Sequence, residues 1–396
     1  MPSSDRADAA GASAPVAGAT RSVLFVSGTS VGGANRSTHE LAAALSERGH
    51  RVAVLSAIDE ATRARRVHKR LLDAEVRFGG PIGRVVQAVR RRIGRNLEPL
   101  ADHPYAAWRS AQPENALADR LDVVRPDIVV VSSVERPAWR QIRGLLDEWG
   151  IPSVLYLRER TALGHLAQSG VAPDLVGPDL VVANSEGHAR EARSAGYETY
   201  VVPSIIDVSN CRTTPTRERV VFVNPVPLFG LDIALGVAAA RPDIPFTFAR
   251  SWPLAPQAER ELLDAARRLG NVEVADPVAD PREVYARARL VLVPYLHPGR
   301  PRVVAEAHAS GIPVVGSDSD GTAEAIGPAG IVVPVSAPID SWTQAIDELW
   351  NDEHRYADMV DVVREWAGRP EMTTEAIVTA FEECLRLAIA NRSRRR

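Results

Sequence analysis

The chain has 396 residues, 45% apolar and 24% charged, with a formal charge of −3. That length accommodates two domains with separate cores, and the composition is that of a globular protein rather than a disordered or membrane-spanning one. Two distant cysteines, Cys211 and Cys384, argue against a disulfide framework or a structural zinc site, and no run approaches the ~20 apolar residues of a membrane span. Cytoplasmic location is the expectation.

Residues 1–20, rich in Ala, Ser, Gly and Pro, read as a disordered tail. Short β-branched runs then alternate with helical patterns, the signal for parallel α/β sheets. In the first half these runs are Val23–Ser27, Val52–Ser56, Ile128–Ser132, Ser153–Leu157 and Leu180–Ala183. Pro203–Arg219 breaks the rhythm with Pro, Ser, Asn and Thr and reads as a linker. A second series follows at Val220–Val223, Pro245–Ala249, Asn271–Val274, Leu290–Val293, Pro313–Gly316 and Gly330–Val333. The expected organisation is a first domain over 21–203, a second over 204–372, and a last segment, 373–396, holding a terminal helix and a basic tail. Both domains read as Rossmann-like, doubly wound sheets, an arrangement that takes its ligand at the carboxyl ends of the strands.

Between Thr62 and Arg95 lie eleven basic residues against Asp73 and Glu75, and Lys69 is the chain's only lysine. Phosphate contacts elsewhere therefore fall to arginine, backbone or hydroxyl groups. The spacing predicts a helix over Arg84–Leu97 with Val85, Val89 and Ile93 on one face. That pattern suits an anionic membrane surface or acceptor, but an amphipathic helix docking its apolar face on its own domain is the preferred reading. Without an aromatic-interleaved basic sheet or a helix-turn-helix signal, nucleic acid is not an expected partner.

The loop from Ser27 to Asn35 follows a strand and opens a helix. Gly32 and Gly33 let backbone approach a ligand, and the helix start favours an anion or a polar sugar group. It does not fit the dinucleotide pattern G-x-G-x-x-G. Asn184-Ser185-Glu186 reads as a helix cap. Arg158, Glu159 and His165 follow a first-domain strand, where they read either as local ion pairing or as contacts to a transferred group. The richest stretch is Pro298–Asp318, an arginine-bearing turn feeding a helix with Glu306 in its early turns. A carboxylate there can accept two ribose hydroxyls, or simply be a first-turn acid. Arg300 and Arg302 tilt the reading toward ribose plus diphosphate, because a guanidinium and free N–H groups suit the phosphates. No metal-ligand spacing, Walker loop or G-x-S-x-G elbow is present.

Asn271–Pro334, together with the Gly32-Gly33 loop and Val223-Asn224-Pro225 … Gly230, resembles the retaining family 4 (group 1) glycosyltransferases. The resemblance implies a GT-B fold, two Rossmann-like domains facing across a cleft, with the terminal helix crossing back to the first domain. It implies transfer from a UDP- or GDP-sugar to a small-molecule or glycan acceptor, with no metal. Glu306 corresponds to the ribose-binding glutamate. Pro298 stands where the family has its first glutamate, and Phe229 where it has a diphosphate lysine.

Donor-binding candidates are thus Gly32, Gly33, Asn224, Arg250, Arg300, Arg302, Val303 (through its amide), Glu306 and Glu324. Asn35, Ser132, Ser133, Arg158 and His165 would serve the acceptor, and Arg302, Arg158 and Glu159 the reaction itself. The two departures keep two alternatives: a pseudo-glycosyltransferase coupling an unusual donor or acceptor, and a nucleotide-sugar-binding protein without transfer activity. A 2-epimerase and a membrane-associated transferase are further rivals. A homodimer is compatible with the sequence, and the Arg- and Ala-rich composition suggests a GC-rich bacterium, where natural-product or glycan assembly are both reasonable settings.

Overall fold

The computed structural model describes residues 20–28, 32–58, 67, 70–71, 74, 77, 80–158, 177–297 and 299–395. The strands of the first half are β1 (Ser22–Ser27), β2 (Arg51–Ala57), β3 (Leu97–Leu100), β4 (Ala106–Ser110), β5 (Ile128–Ser132), β6 (Ser153–Leu157), β7 (Leu180–Ala183) and β8 (Thr199–Val201). They form one sheet in the order β3-β4-β2-β1-β5-β6-β7-β8, parallel except where β3 meets β4. β9 (Arg219–Val223), β10 (Phe246–Ala249), β11 (Val272–Ala275), β12 (Ala288–Val293), β13 (Val314–Ser317) and β14 (Gly330–Val333) form a second, parallel sheet. Its order is β11-β10-β9-β12-β13-β14.

The helices are α1 (Gly32–Glu47), α2 (Gly80–Gly94), α3 (Pro113–Val124), α4 (Arg136–Trp149), α5 (Glu186–Ser194) and α6 (Val208–Cys211) in the first half and linker. Those of the second are α7 (Leu231–Ala240), α8 (Pro256–Leu269), α9 (Pro281–Tyr285), α10 (Arg302–Ala309), α11 (Asp320–Ile326), α12 (Ile339–Trp350), α13 (Glu353–Ala367) and α14 (Thr374–Arg395).

Central strands are apolar on both faces because helices cover both faces of a parallel sheet. In β1, Val23 and Phe25 join one core layer, while Leu24 and Val26 join the other. Helix ends follow local chemistry. Ser185 caps α5 by accepting from the His188 amide, and α4 and α8 stop at Gly150 and Gly270 in left-handed conformations.

α14 does not pack on the second sheet that precedes it. Ile377, Phe381, Cys384, Leu385 and Ala388 enter the first-sheet core, with Phe381 beside Phe25 and Tyr156. The chain therefore passes between the domains twice, outward through the segment containing α6 and back before α14.

Two expectations are corrected. The basic helix spans Gly80–Gly94, and Leu97 belongs to β3 instead. Two residues of its expected apolar face are not docked on the domain, Val85 being 65% exposed and Val89 45%, while the Ile93 side chain lies outside the described residues. Part of the surrounding basic stretch, and the proposed tail, lie outside the described residues.

Candidate functional site

The domains meet where the carboxyl ends of their strands face each other. Gly28 leaves β1 so close to β5 that its amide donates to the Ser132 carbonyl at 3.1 Å, and an added Cβ would collide with the Ser133 backbone. Opposite, the Gly299 backbone faces the carbonyl of Arg158, which a Cβ on that glycine would approach to 3.3 Å. A cavity of about 1010 Å³ opens between the domains, with Arg36, His39, Glu40, Asp207, Arg282 and Glu306 among its lining.

Glu306 is the buried acid of this cavity, 6% exposed on the second turn of α10. Its Oε2 accepts from the Tyr285 hydroxyl at 2.7 Å. Its Oε1 lies 3.3 Å from Arg302 Nε and 3.5 Å from Arg36 Nη1. A carboxylate has about four acceptor directions, so ligand hydroxyls can still add to these contacts. The N-cap of α10 is Pro301, and no described side chain caps the helix, while the Val304 N–H turns back to the Pro301 carbonyl at 3.3 Å.

Arg302 sits in a different situation from the free cation expected of a diphosphate ligand. Its Nη1 donates to Ser37 Oγ at 2.8 Å, to the Ile205 carbonyl at 3.0 Å and to Glu40 at 2.5 Å. Its Nη2 donates to the other Glu40 oxygen at 2.9 Å. With Nε on Glu306, the guanidinium is engaged on every nitrogen, and it ties α10 to α1. Its Cδ lies where a Gly33 side chain would be, 2.9 Å from an added Cβ. Gly33 thus makes room for an arginine of the other domain.

The other predicted cations are also engaged. Arg250 pairs with Glu259 and Asp276 inside the second domain. Arg300 pairs with Glu324 at 2.5 Å, and Glu324 accepts the Glu186 amide at 2.7 Å, a second tie between domains. Arg158, 6% exposed, donates to the Ala34 carbonyl at 2.8 Å and to Thr38, and lies over the Tyr156 ring. It fastens the first turns of α1. Asn224 occupies a left-handed turn after β9 and accepts from the Ser251 amide at 3.2 Å. Ser132 is buried, and Ser133 has a φ of 53°. Asn35 keeps a buried Oδ1 with no hydrogen-bond partner among the described residues. Glu159, His165 and Pro298 lie outside the described residues.

Phe229, at the position matched to a lysine, packs with Tyr295 (4.4 Å between ring centroids), His297 (5.3 Å) and Trp252 (6.3 Å). Along the first-domain wall, His39 stacks on His103 at 4.4 Å and meets the Tyr105 hydroxyl at 2.8 Å. Burial, then the neighbouring His103, lowers the His39 pKa to about 4, so it is neutral near pH 7. Burial raises that of Glu40.

The model of the family described as Glycosyltransferase Family 4 matches residues 31–210, and that described as Glycosyl transferases group 1 matches residues 233–352. The chain belongs to the glycosyltransferases of the GT-B fold. No curated protein sequence matches it. Among solved structures it is similar to Anabaena HepE in complex with UDP and glucose, with 18% identity and a TM-score of 0.69, over 92% of this chain and 99% of that one. It is also similar to sucrose-phosphate synthase of Thermosynechococcus elongatus (14% identity, TM-score 0.72, 93% and 100% covered). A third similar structure is WaaG, a glycosyltransferase involved in lipopolysaccharide biosynthesis (14% identity, TM-score 0.59, 92% and 99% covered).

For this glycosyltransferase, sequence reasoning missed Arg36, Glu40 and Tyr285. Arg36 and Glu40 carried a usable signal: opposite charges four apart, one turn beyond the Gly-Gly pair, on the helix that opens the cleft. Tyr285 carried none, since only the fold brings it to Glu306.

Proposed function

We propose that this glycosyltransferase moves a sugar from a UDP- or GDP-sugar to a small-molecule or glycan acceptor, with retention and without a metal ion. The observation that carries the donor reading is Glu306, a buried carboxylate beside the uncapped start of α10 and on the wall of the interdomain cavity. Glu306 holds the ribose, and Tyr285 fixes one of its oxygens. The family resemblance supports the stereochemistry, and the UDP in the similar Anabaena structure supports the ligand class.

Negative charge builds on the diphosphate as the sugar leaves, so a cation or dipole must meet it there. The α10 N–H groups supply the dipole. Arg36, with 49% of its side chain exposed, is the cation with room to do so. Arg302 serves only by giving up Glu40 or Ser37, which makes its contribution conditional on domain movement. The acceptor approaches from the first domain, where the buried Asn35 Oδ1 has no partner among the described residues.

The alternative is a protein that binds the sugar nucleotide without ordinary transfer. It is favoured by the engagement of Arg302 and Arg250 and by the aromatic cluster around Phe229. Calorimetry with UDP and GDP tests the common part. Glu306→Ala should weaken binding of one nucleotide at least tenfold, and unchanged affinity removes the assignment. Release of sugar from a donor panel by the wild type then separates transfer from binding alone.

A further inference from the structure

We infer that α2 is a docking element for an anionic lipid bilayer. Ile82, Val85 and Val89 follow one another at i, i+3 and i+7, and so share one stripe of the helix. They are 61%, 65% and 45% exposed. A helix whose stripe is bare pays for that in water unless something else covers it.

The charge around the stripe identifies the cover. Between Glu75 and Glu98 the chain has Arg77, Arg84, Arg90, Arg91, Arg92 and Arg95 and no acidic residue. Arg84, Arg92 and Arg95 are exposed. An apolar stripe on a helix whose charged residues are all arginines fits the boundary between lipid headgroups and acyl chains when the headgroups are anionic. A second copy of this chain would set one arginine row against another, which opposes self-association.

The anchorage of the helix agrees with that role. Its carboxyl end is seated: the Gly94 carbonyl accepts from Ser110, and a Cβ on Gly94 would meet Asn115 and Gln112. Ser110 ends β4 at the cleft side of the first sheet, so a bilayer under α2 lies next to the rim of the acceptor domain. The inference concerns where the protein sits, and it stands independently of the nucleotide assignment.

Co-sedimentation of the full chain with phosphatidylcholine vesicles, and with vesicles containing phosphatidylglycerol, tests it at about 0.1 M salt. The wild type should bind the anionic vesicles alone. The triple variants Ile82→Ser/Val85→Ser/Val89→Ser and Arg84→Ala/Arg92→Ala/Arg95→Ala should each lower the bound fraction about tenfold or more. Both should keep the wild-type circular dichroism spectrum and thermal midpoint, which shows them folded. The inference is overturned if the wild type stays in solution with anionic vesicles, or if the apolar triple binds as well as wild type. It is equally overturned if light scattering shows a dimer that the apolar triple dissociates.

Discussion

Arg302 and Glu40 form a two-point ion pair across the domain boundary, with both side chains mostly shielded from water. Breaking such a pair leaves a charge in a poor solvent, so the cost exceeds that of a surface bridge. Glu40→Gln and Arg302→Met should each lower unfolding stability by about 2 kcal/mol, with a coupling of about 1.5 kcal/mol or more in the double variant. Urea unfolding of the four proteins measures this. Additive effects would show that the two side chains stand near each other without energetic contact.

Arg36 offers a contrast, because it is half exposed and pairs with Glu306 at 3.5 Å. Arg36→Gln should leave stability within about 0.5 kcal/mol of wild type. It should weaken nucleoside diphosphate binding about tenfold while leaving the free nucleoside unaffected. Equal loss for nucleoside and diphosphate would place Arg36 away from the phosphates.

Tyr285→Phe removes the hydroxyl that fixes Glu306. One lost hydrogen bond of about 1 kcal/mol corresponds to roughly a fivefold weaker nucleotide affinity. Calorimetry beside Glu306→Ala orders the effects. The tyrosine variant must be the milder of the two.

Stability should fall in mild acid. Burial lowers the pKa of His188 to about 4 and of His308 to about 3, from an ordinary value of 6.5. The folded state holds both rings neutral, whereas the unfolded chain protonates them below 6.5. Their contribution is therefore intact above about pH 6.5, and it is lost as the pH falls toward the folded values. Each ring should remove about 2 kcal/mol between pH 7 and 5. Urea midpoints across that range measure the fall, and His188→Gln/His308→Gln should make it shallower, leaving the share of His39, whose pKa is also lowered to about 4.

Two glycines separate strain from collision. Gly230 has a φ of +81°, and an added Cβ would strike the Pro294 carbonyl; Gly270 has a φ of +77° with nothing near. Alanine at 270 should cost about 1 kcal/mol, and at 230 about 3 kcal/mol. Thermal melts of the two variants compare them directly. Equal shifts would mean that the loop after β9 yields.

Local chemistry made much of this fold readable. β5 and β12 contain the continuous apolar runs Ile128–Val131 and Leu290–Val293, so their burial on both faces is written in adjacent residues. β3 is not: Glu98 and Pro99 disguise a short edge strand whose partner, β4, is set by a register that no spacing reveals. At the site, Glu306 was visible because helix start, carboxylate and arginines are neighbours in sequence. The use made of Arg302 was hidden, since Glu40 lies 262 residues away and only the packing of two domains joins them. The same holds for Arg158, whose chemistry suggests a ligand while its surroundings make it a clamp on α1.

The return of α14 has a consequence for dissection by truncation. Phe381 and Leu385 complete the first domain, so a chain cut after α13 would lose a wall of the amino-terminal half and leave the carboxyl-terminal half whole. A reporter attached at the end of α14 would travel with β1 and α1. Paired with a label on α8 or α12, it reads the opening between the halves directly. Because two covalent connections join those halves, that opening is restrained like a door on two hinges, swinging about one line rather than tumbling on a single thread.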